Sequence, residues 1–246
     1  ADLQGSLSVT SRDLMRDIAS EIEWAKSSQV VPEDYVNEAS KRTQKPRINP
    51  EQISQVYTAY MSLMKQERTM DFEDVLLLTA AMLEEEREVR ERVQDQYRHF
   101  TIDEYQDISP LQQSLLETWL GDREELCVVG DPRQTIYTFA GADPSFLTGF
   151  STRFPSAQFV ELNRNYRSSP EIVALANRVA EHGELEAVRQ FSSKPSLERF
   201  SSATAEAKWI AERVSEAVQG GQPLGEIAVL ARINSQLEQV ESELTK

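Results

Sequence analysis

The sequence predicts an α/β fold, with short parallel strands flanked by helices behind an all-helical N-terminal stretch. Three observations carry this. From residue 100 onward, short β-prone runs alternate with amphipathic helical runs, as they do in parallel sheets covered by helices. Two of those helices open on a Ser-Pro pair, Ser109-Pro110 and Ser169-Pro170, a capping residue followed by the proline that suits a first helical position. The first seventy residues instead show helical periodicity.

In order, Leu14, Ile18, Ile22 and Ala25 repeat at helical spacing after Thr10-Ser11, which can cap. Asn49-Pro50 starts a second helix, with Ile53, Val56, Tyr57, Tyr60 and Met64 on one face. The basic stretch from Ser40 to Arg47 lacks periodicity and reads either as a solvated loop or as a phosphate-contacting one. Val75 to Leu83 is a strongly apolar helix that is expected to continue into a charged stretch, with Glu86/Arg90 and Glu88/Arg92 paired at i,i+4. A strand is expected over 100–103, then a helix from Pro110 to Leu120 stopped by Gly121, then a strand over 126–129 with Cys127 buried in it. Further strands are expected over 158–162, 197–200 and 227–231. The helix after Ser169-Pro170 should bury Ile172, Leu175, Ala176 and Val179. A last one, 205–219, carries Ile210, Val214 and Ala217 and stops at Gly220-Gly221.

Composition narrows the function. The chain has 246 residues, 39% hydrophobic and 27% charged, which is globular and long enough for one large domain or two modest ones. A single cysteine excludes an internal disulfide framework and suits a reducing compartment, and no run is apolar enough to span a membrane; the cytoplasm is the expected location. His99 and His182 lack metal-site spacing. The net charge of −15 argues against a protein that coats DNA through a basic face, but it leaves room for a local groove.

The chemistry concentrates in three loops. Phe100-Thr101-Ile102-Asp103-Glu104-Tyr105-Gln106-Asp107 delivers two adjacent carboxylates at a strand end, just before a helix. There, nucleotide-binding α/β folds hold Mg²⁺ and prepare a water for phosphoryl chemistry. Taken alone, the pair fits solvated carboxylates equally well. The loop from Gly130 to Ala142 adds the amide of Gln134, able to sense a γ-phosphate or its water, and the aromatics Tyr137 and Phe139, which suit either the core or base stacking. Asn163 to Ser169 places two arginines before a helix, and Arg167 could stabilise charge on a γ-phosphate.

Together, and in this order, the loops resemble the UvrD/PcrA/Rep family of superfamily 1 ATP-dependent DNA helicases. Asp103-Glu104-Tyr105-Gln106-Asp107 resembles motif II, Gly130 to Ala142 motif III, and Asn165-Tyr166-Arg167-Ser168 motif IV. Met70 to Leu76 resembles the family's Asp-Phe-Asp-Asp-Leu segment, and Leu230 to Gln236 its Tyr-Arg-Thr-Asn-Ala-Gln segment. The resemblance implies that Asp103, with Glu104, serves a Mg²⁺ ion, and that Glu104 polarises the attacking water. It also implies that Gln134 and Arg167 contact the γ-phosphate of ATP and that Tyr166 stacks on adenine. Phe72, Tyr137 and Phe139 would meet single-stranded bases, and Arg232 and Asn234 would lie near the DNA backbone or the coupling machinery. There are departures: Thr138-Phe139-Ala140 stands where the family has Arg-Trp-Arg, Ala231 replaces a tyrosine, and Ile233 a threonine. The loop at 134–141 is similar to one actinobacterial branch of the family.

The implied architecture is a helical insertion subdomain (1–70) with parts of two RecA-like lobes, 71–155 and 156–246. ATP would be bound between the lobes, and single-stranded and duplex DNA would be the partners. No Gly-Lys pair occurs in the 246 residues, so the phosphate-cradling P-loop is missing from them. The expectation is therefore a piece of a 3′→5′ helicase acting in repair or replication, inactive by itself and prone to self-association through exposed sheet edges. Alternatives are a non-catalytic helicase-like scaffold binding DNA or protein, a nuclease using Asp103, Glu104 and Asp107, and a subunit of a RecB-like complex.

Overall fold

A computed structural model describes residues 12–180, 185–191 and 194–245. The Thr10-Ser11 cap and His182 lie outside the described residues. The chain divides into two compact units, Ala1–Val160 and Glu161–Lys246.

The first unit begins with three helices, α1 (Arg12–Ser27), α2 (Tyr35–Lys41) and α3 (Pro50–Glu67). Their shared core is Ile18, Ile22, Ala25, Tyr35, Ala39, Ile53 and Tyr57, so the periodic positions do face inward. Asn49 caps α3 by accepting from the Glu51 and Gln52 amides. The basic stretch differs from expectation, because α2 runs into it. Arg42 turns inward, with its Nη1 2.5 Å from Glu21 Oε2 and its guanidinium 4.0 Å from the Trp24 ring centroid. That cation holds α1 to the end of α2, and Lys45 donates to the Ser40 carbonyl.

The next helices are α4 (Phe72–Glu85) and α5 (Arg87–Gln96). The continuous helix expected here is broken at Glu86, and the exposed ion pair formed is Arg87–Glu91. The break lets Val89 and Val93 fold back onto Ala80, Leu83 and Leu115, a core that a straight helix would carry them away from. Arg90 stabilises the turn by donating to the last carbonyls of α4, those of Leu83 and Glu84.

Strand β1 (Phe100–Ile102) pairs in parallel with β2 (Leu126–Val128), Phe100 opposite Leu126 and Ile102 opposite Val128. Between them runs α6 (Pro110–Leu120), capped by a reciprocal Ser109–Gln112 box. Ile102 and Val128 point toward Tyr105, Ile108 and Leu116, while the strand alternation turns Cys127 outward. The expectation of a buried cysteine is therefore corrected: only one face of this two-stranded ribbon is covered. Two short helices, α7 (Ser145–Thr148) and α8 (Phe150–Arg153), close that side through Phe146, Leu147 and Phe150.

The second unit holds β3 (Arg164–Asn165), α9 (Pro170–Val179), β4 (Glu186–Ala187), α10 (Ala203–Gln219) and α11 (Leu237–Leu244). β3 and β4 pair in parallel. Val173 is the buried residue of α9, and Asn177 exchanges hydrogen bonds with the Leu185 backbone. The face expected to be buried, Ile172, Leu175, Ala176 and Val179, is exposed instead. Runs 158–162, 197–200 and 227–231 form no ladder among the described residues, and Leu197 and Leu230 are more than nine-tenths exposed. A strand needs a partner to satisfy its amides, and no described segment provides one for these three. The α/β class therefore stands in a helix-rich form with two small parallel sheets.

Candidate functional site

The acidic pair sits where β1 ends. Asp103 and Glu104 are exposed, and Asp103 Oδ1 accepts from the Glu104 amide at 2.9 Å. Glu104 adopts a left-handed backbone, φ 51° and ψ 40°, which for a side-chain-bearing residue costs on the order of 1–2 kcal/mol. Such strain persists where surrounding structure enforces it, and it clusters at functional sites. Here the enforcing contacts are the Tyr105 amide on the Val129 carbonyl, 2.9 Å, and the fully buried Tyr105 ring.

Sequence reasoning gave Gln106 no role, yet it is the hub. Its side chain is buried, and its Nε2 donates to Glu104 Oε2 at 2.6 Å and to Asp107 Oδ2 at 3.4 Å. Its Oε1 accepts from the Asp131 amide at 3.0 Å. Gly130 permits this approach: a Cβ there would lie 2.5 Å from Gln106 Oε1. Asp131 continues the chain, its Oδ2 accepting from Gln134 Nε2 at 3.2 Å and its Oδ1 from the Arg133 amide. Burial opposes ionisation of Asp131, but the Arg133 amide, the Gln134 side chain and the Arg133 guanidinium outweigh it and hold the carboxyl below its ordinary range. Asp107 Oδ1 accepts from the Ile136 amide, which binds the second loop to the first again. The structure thus brings Glu104 and Gln134 into one hydrogen-bonded network, with Asp103 beside it. Asp107 is turned into that network, and among the described residues no three acidic, histidine or cysteine side chains gather as a metal site. An exposed Asp103 carboxylate fits Mg²⁺, which takes one or two carboxylates and fills its shell with water and phosphate oxygens.

The aromatic candidates of the first unit are all at its surface. Phe72 is 87% exposed, and Tyr137 and Phe139 are half exposed with ring centroids 6.2 Å apart. The C-terminal end of α1 supports both groups. At Gly141, φ 101°, a Cβ would come within 2.9 Å of Ser27 Cβ, so the aromatic turn lies directly on α1. One residue earlier, buried Lys26 places its ammonium 2.6 Å from Asp71 Oδ2 and 2.5 Å from Asp74 Oδ1. Asp71 caps α4 in a reciprocal box with Asp74, and Phe72 is the first residue of that helix. Tyr60 donates to Asp71 Oδ2, and burial followed by that bond pushes its hydroxyl up to about 12, so it remains a donor at neutral pH.

In the second unit, Asn165 Oδ1 accepts from the amides of Arg167 and Ser168 and shapes the turn into α9. Tyr166 and Arg167 are exposed, and the Arg164 guanidinium lies 5.5 Å from the Tyr166 ring centroid. Arg189 Nη1 donates to the Arg167 carbonyl at 2.8 Å. Arg167, Ser168, Ser169 and Arg189 help line an open cleft of about 480 Å³. The Ser169 hydroxyl is buried, does not make the expected cap bond to α9, and has no hydrogen-bond partner among the described residues. Arg232 and Asn234 are exposed on a turn held by Gln236, whose Oε1 accepts from the Arg232 and Ile233 amides.

The first unit thus joins an acidic pair to an amide-bearing loop and carries exposed aromatics beside them. The sequence profile of the UvrD/REP helicase N-terminal domain matches residues 3–155, and that of the UvrD-like helicase C-terminal domain matches residues 160–246. The chain belongs to the UvrD/REP helicase family. It is 45% identical to the ATP-dependent DNA helicase UvrD2 of Mycobacterium tuberculosis, over 96% of this chain and 35% of that protein. It is 29% identical to the ATP-dependent DNA helicase PcrA of Leuconostoc citreum, over 94% and 31% respectively. With PcrA of Staphylococcus epidermidis the identity is 28%, over 87% and 30%. The chain spans about a third of the length of these curated relatives.

Proposed function

We propose that the chain contributes part of the motor of an ATP-dependent DNA helicase, which couples ATP hydrolysis to movement along single-stranded DNA and unwinding of duplex. The observation that carries this reading is the hydrogen-bonded path from Glu104 through Gln106 and Asp131 to Gln134. It ties a candidate water-activating carboxylate to a candidate γ-phosphate sensor. In this reading Glu104 orients and polarises the attacking water, and Gln134 and Arg167 bind the γ-phosphate. Tyr166 stacks on adenine. Asp103, with Glu104 beside it, would hold Mg²⁺, which would supply neutralisation of the phosphate charge. Residues 1–70 act as a helical insertion, and 71–155 and 156–246 as parts of two RecA-like lobes. Arg232 and Asn234 lie near the DNA backbone or the coupling machinery. The polarity is 3′→5′, the setting repair or replication, and the compartment the cytoplasm.

The test is ATP turnover by the full-length protein, with and without single-stranded DNA, together with unwinding of duplexes carrying a 3′ or a 5′ tail. DNA-stimulated turnover and unwinding from the 3′ tail are expected. The 246-residue chain alone, whose sequence has no Gly-Lys pair, is expected to show no turnover. DNA binding by the full-length protein without turnover would favour a non-catalytic scaffold instead.

Phe72, Tyr137 and Phe139 present faces on which successive bases stack. Phe139→Ala is expected to weaken oligonucleotide binding by about 5- to 150-fold, the equivalent of roughly 1–3 kcal/mol for one lost stack, with nucleotide affinity little changed. Fluorescence anisotropy with a labelled single strand measures this, and an unchanged affinity would remove Phe139 from the DNA path.

A further inference from the structure

The geometry points to Gln106 as a positioning residue that sets the Glu104 carboxylate for water activation and links it mechanically to the loop carrying Gln134. The inference rests on the ATPase reading and goes beyond it, because Gln106 itself touches neither nucleotide nor DNA in that reading.

Gln106 is 1% exposed, and both ends of its amide are used. The Nε2 end faces two groups that can only accept, Glu104 Oε2 at 2.6 Å and Asp107 Oδ2 at 3.4 Å. The Oε1 end faces a group that can only donate, the Asp131 amide at 3.0 Å. A flipped amide would lose every one of these bonds, so the orientation is fixed by its neighbours. Of the side chains of similar length, glutamate could keep the Asp131 contact but cannot donate to Glu104, and lysine has no acceptor for Asp131. The bond to Glu104 matters because that residue is exposed and this bond sets where its carboxylate points. The bond to Asp131 matters because the same residue holds Gln134 through its other end, Oδ2 to Nε2 at 3.2 Å. A displacement of Gln134 on meeting or losing a γ-phosphate would therefore reach Glu104 through Asp131 and Gln106, all within one unit. Gly130 allows the closeness of this packing, since a Cβ would be 2.5 Å from Gln106 Oε1.

The experiment compares full-length wild type with Gln106→Glu, Gln106→Asn, Glu104→Gln and the Glu104→Gln/Gln106→Glu double variant. It measures kcat and KM for ATP with saturating single-stranded DNA, and the melting temperature of each. Gln106→Glu is expected to lower kcat about 10- to 100-fold, the usual cost of losing a partner that orients a reacting group. KM should stay within about twofold, because such a loss falls on the transition state and not on ground-state binding. Gln106→Asn, uncharged but too short to span both contacts, should likewise lower kcat with KM held, and it decides the matter should the glutamate variant fail to fold. The double variant should be no slower than Glu104→Gln, because Gln106 acts through Glu104.

Wild-type kcat in a folded Gln106→Glu or Gln106→Asn variant, a loss carried wholly by KM, or multiplicative losses in the double variant would each overturn the inference. Normal turnover in Glu104→Gln would bring down the ATPase role of Glu104 and this inference with it. Collapse of Glu104→Gln beside a normal Gln106→Glu would remove the inference alone.

Discussion

Glu104→Gln in the full-length protein is expected to leave ATP binding near normal and to lower kcat by roughly 10²–10⁴. The substitution is isosteric and keeps an oxygen able to accept from Gln106 Nε2, so the turn and its left-handed residue have no reason to rearrange. What it removes is the negative charge. Positioning and electrostatics supply nearly all of the catalysis in phosphoryl transfer, so losing the charge that polarises water falls on the chemical step. Nucleotide affinity should hold, because the contacts assigned to binding belong to other residues. A fluorescent ATP analogue reads the binding, and single-turnover hydrolysis reads the chemistry. Near-normal turnover would strip Glu104 of its assigned role. Loss of binding would mean that the carboxylate contributes to holding the nucleotide.

The contrast between Glu104 and Gln106 shows how far a sequence can be read. Paired carboxylates at a strand end are legible, because their chemistry is carried by residue type and a local turn. The function of Gln106 depends on the Asp131 amide, 25 positions away, and no local pattern encodes that bond. Secondary structure divides along the same line. Helices with their own caps, at Asn49-Pro50 and Ser109-Pro110, were legible to the residue because a cap is a local bond. The apolar runs 158–162, 197–200 and 227–231 look like strands, but a strand is completed only by a partner, and the described residues provide none. Helix α9 failed differently. Its apolar positions were visible, but the shallow contact with β4 selects Val173 and Asn177 over the broader face beside them. Cys127 lies in an apolar run that reads as buried on both faces, but the alternation of β2 leaves this middle residue outside.

Lys26 was equally invisible as sequence, one more cation in the last turn of an amphipathic helix. In the structure its side chain is 3% exposed and holds two carboxylates, Asp71 and Asp74. Lys26→Met keeps the aliphatic stem and removes the charge, leaving two half-buried carboxylates facing one another without a cation. Breaking a buried pair from one side costs about 3–5 kcal/mol, far more than an exposed pair would. Burial opposes ionisation of Asp71, yet Lys26, the Asp74 amide and Tyr60 together hold its carboxyl below the ordinary range. A depressed carboxylate pKa stabilises the fold above the unfolded-state value, near 4, and the contribution disappears as pH falls through the folded value. The wild-type chain should therefore lose stability on acidification below about pH 4. In Lys26→Met the unpaired Asp71 carboxylate becomes a liability only while charged, so the gap between the two proteins should be widest at neutral pH and narrow as Asp71 protonates. Urea unfolding of the 246-residue chain at pH 7 and near pH 3.5, followed by tryptophan fluorescence with Trp119 and Trp209 replaced by Phe so that only Trp24, packed against the α1–α3 core, reports, measures both. A difference under about 1 kcal/mol at pH 7, or one that ignores pH, would show that Lys26 is an ordinary surface cation. The same variant bears on DNA binding, since Asp71 is the cap of α4 and Phe72 its first residue. A loosened cap frays that turn, and with it the backbone that carries Phe72, the residue proposed to stack on single-stranded bases.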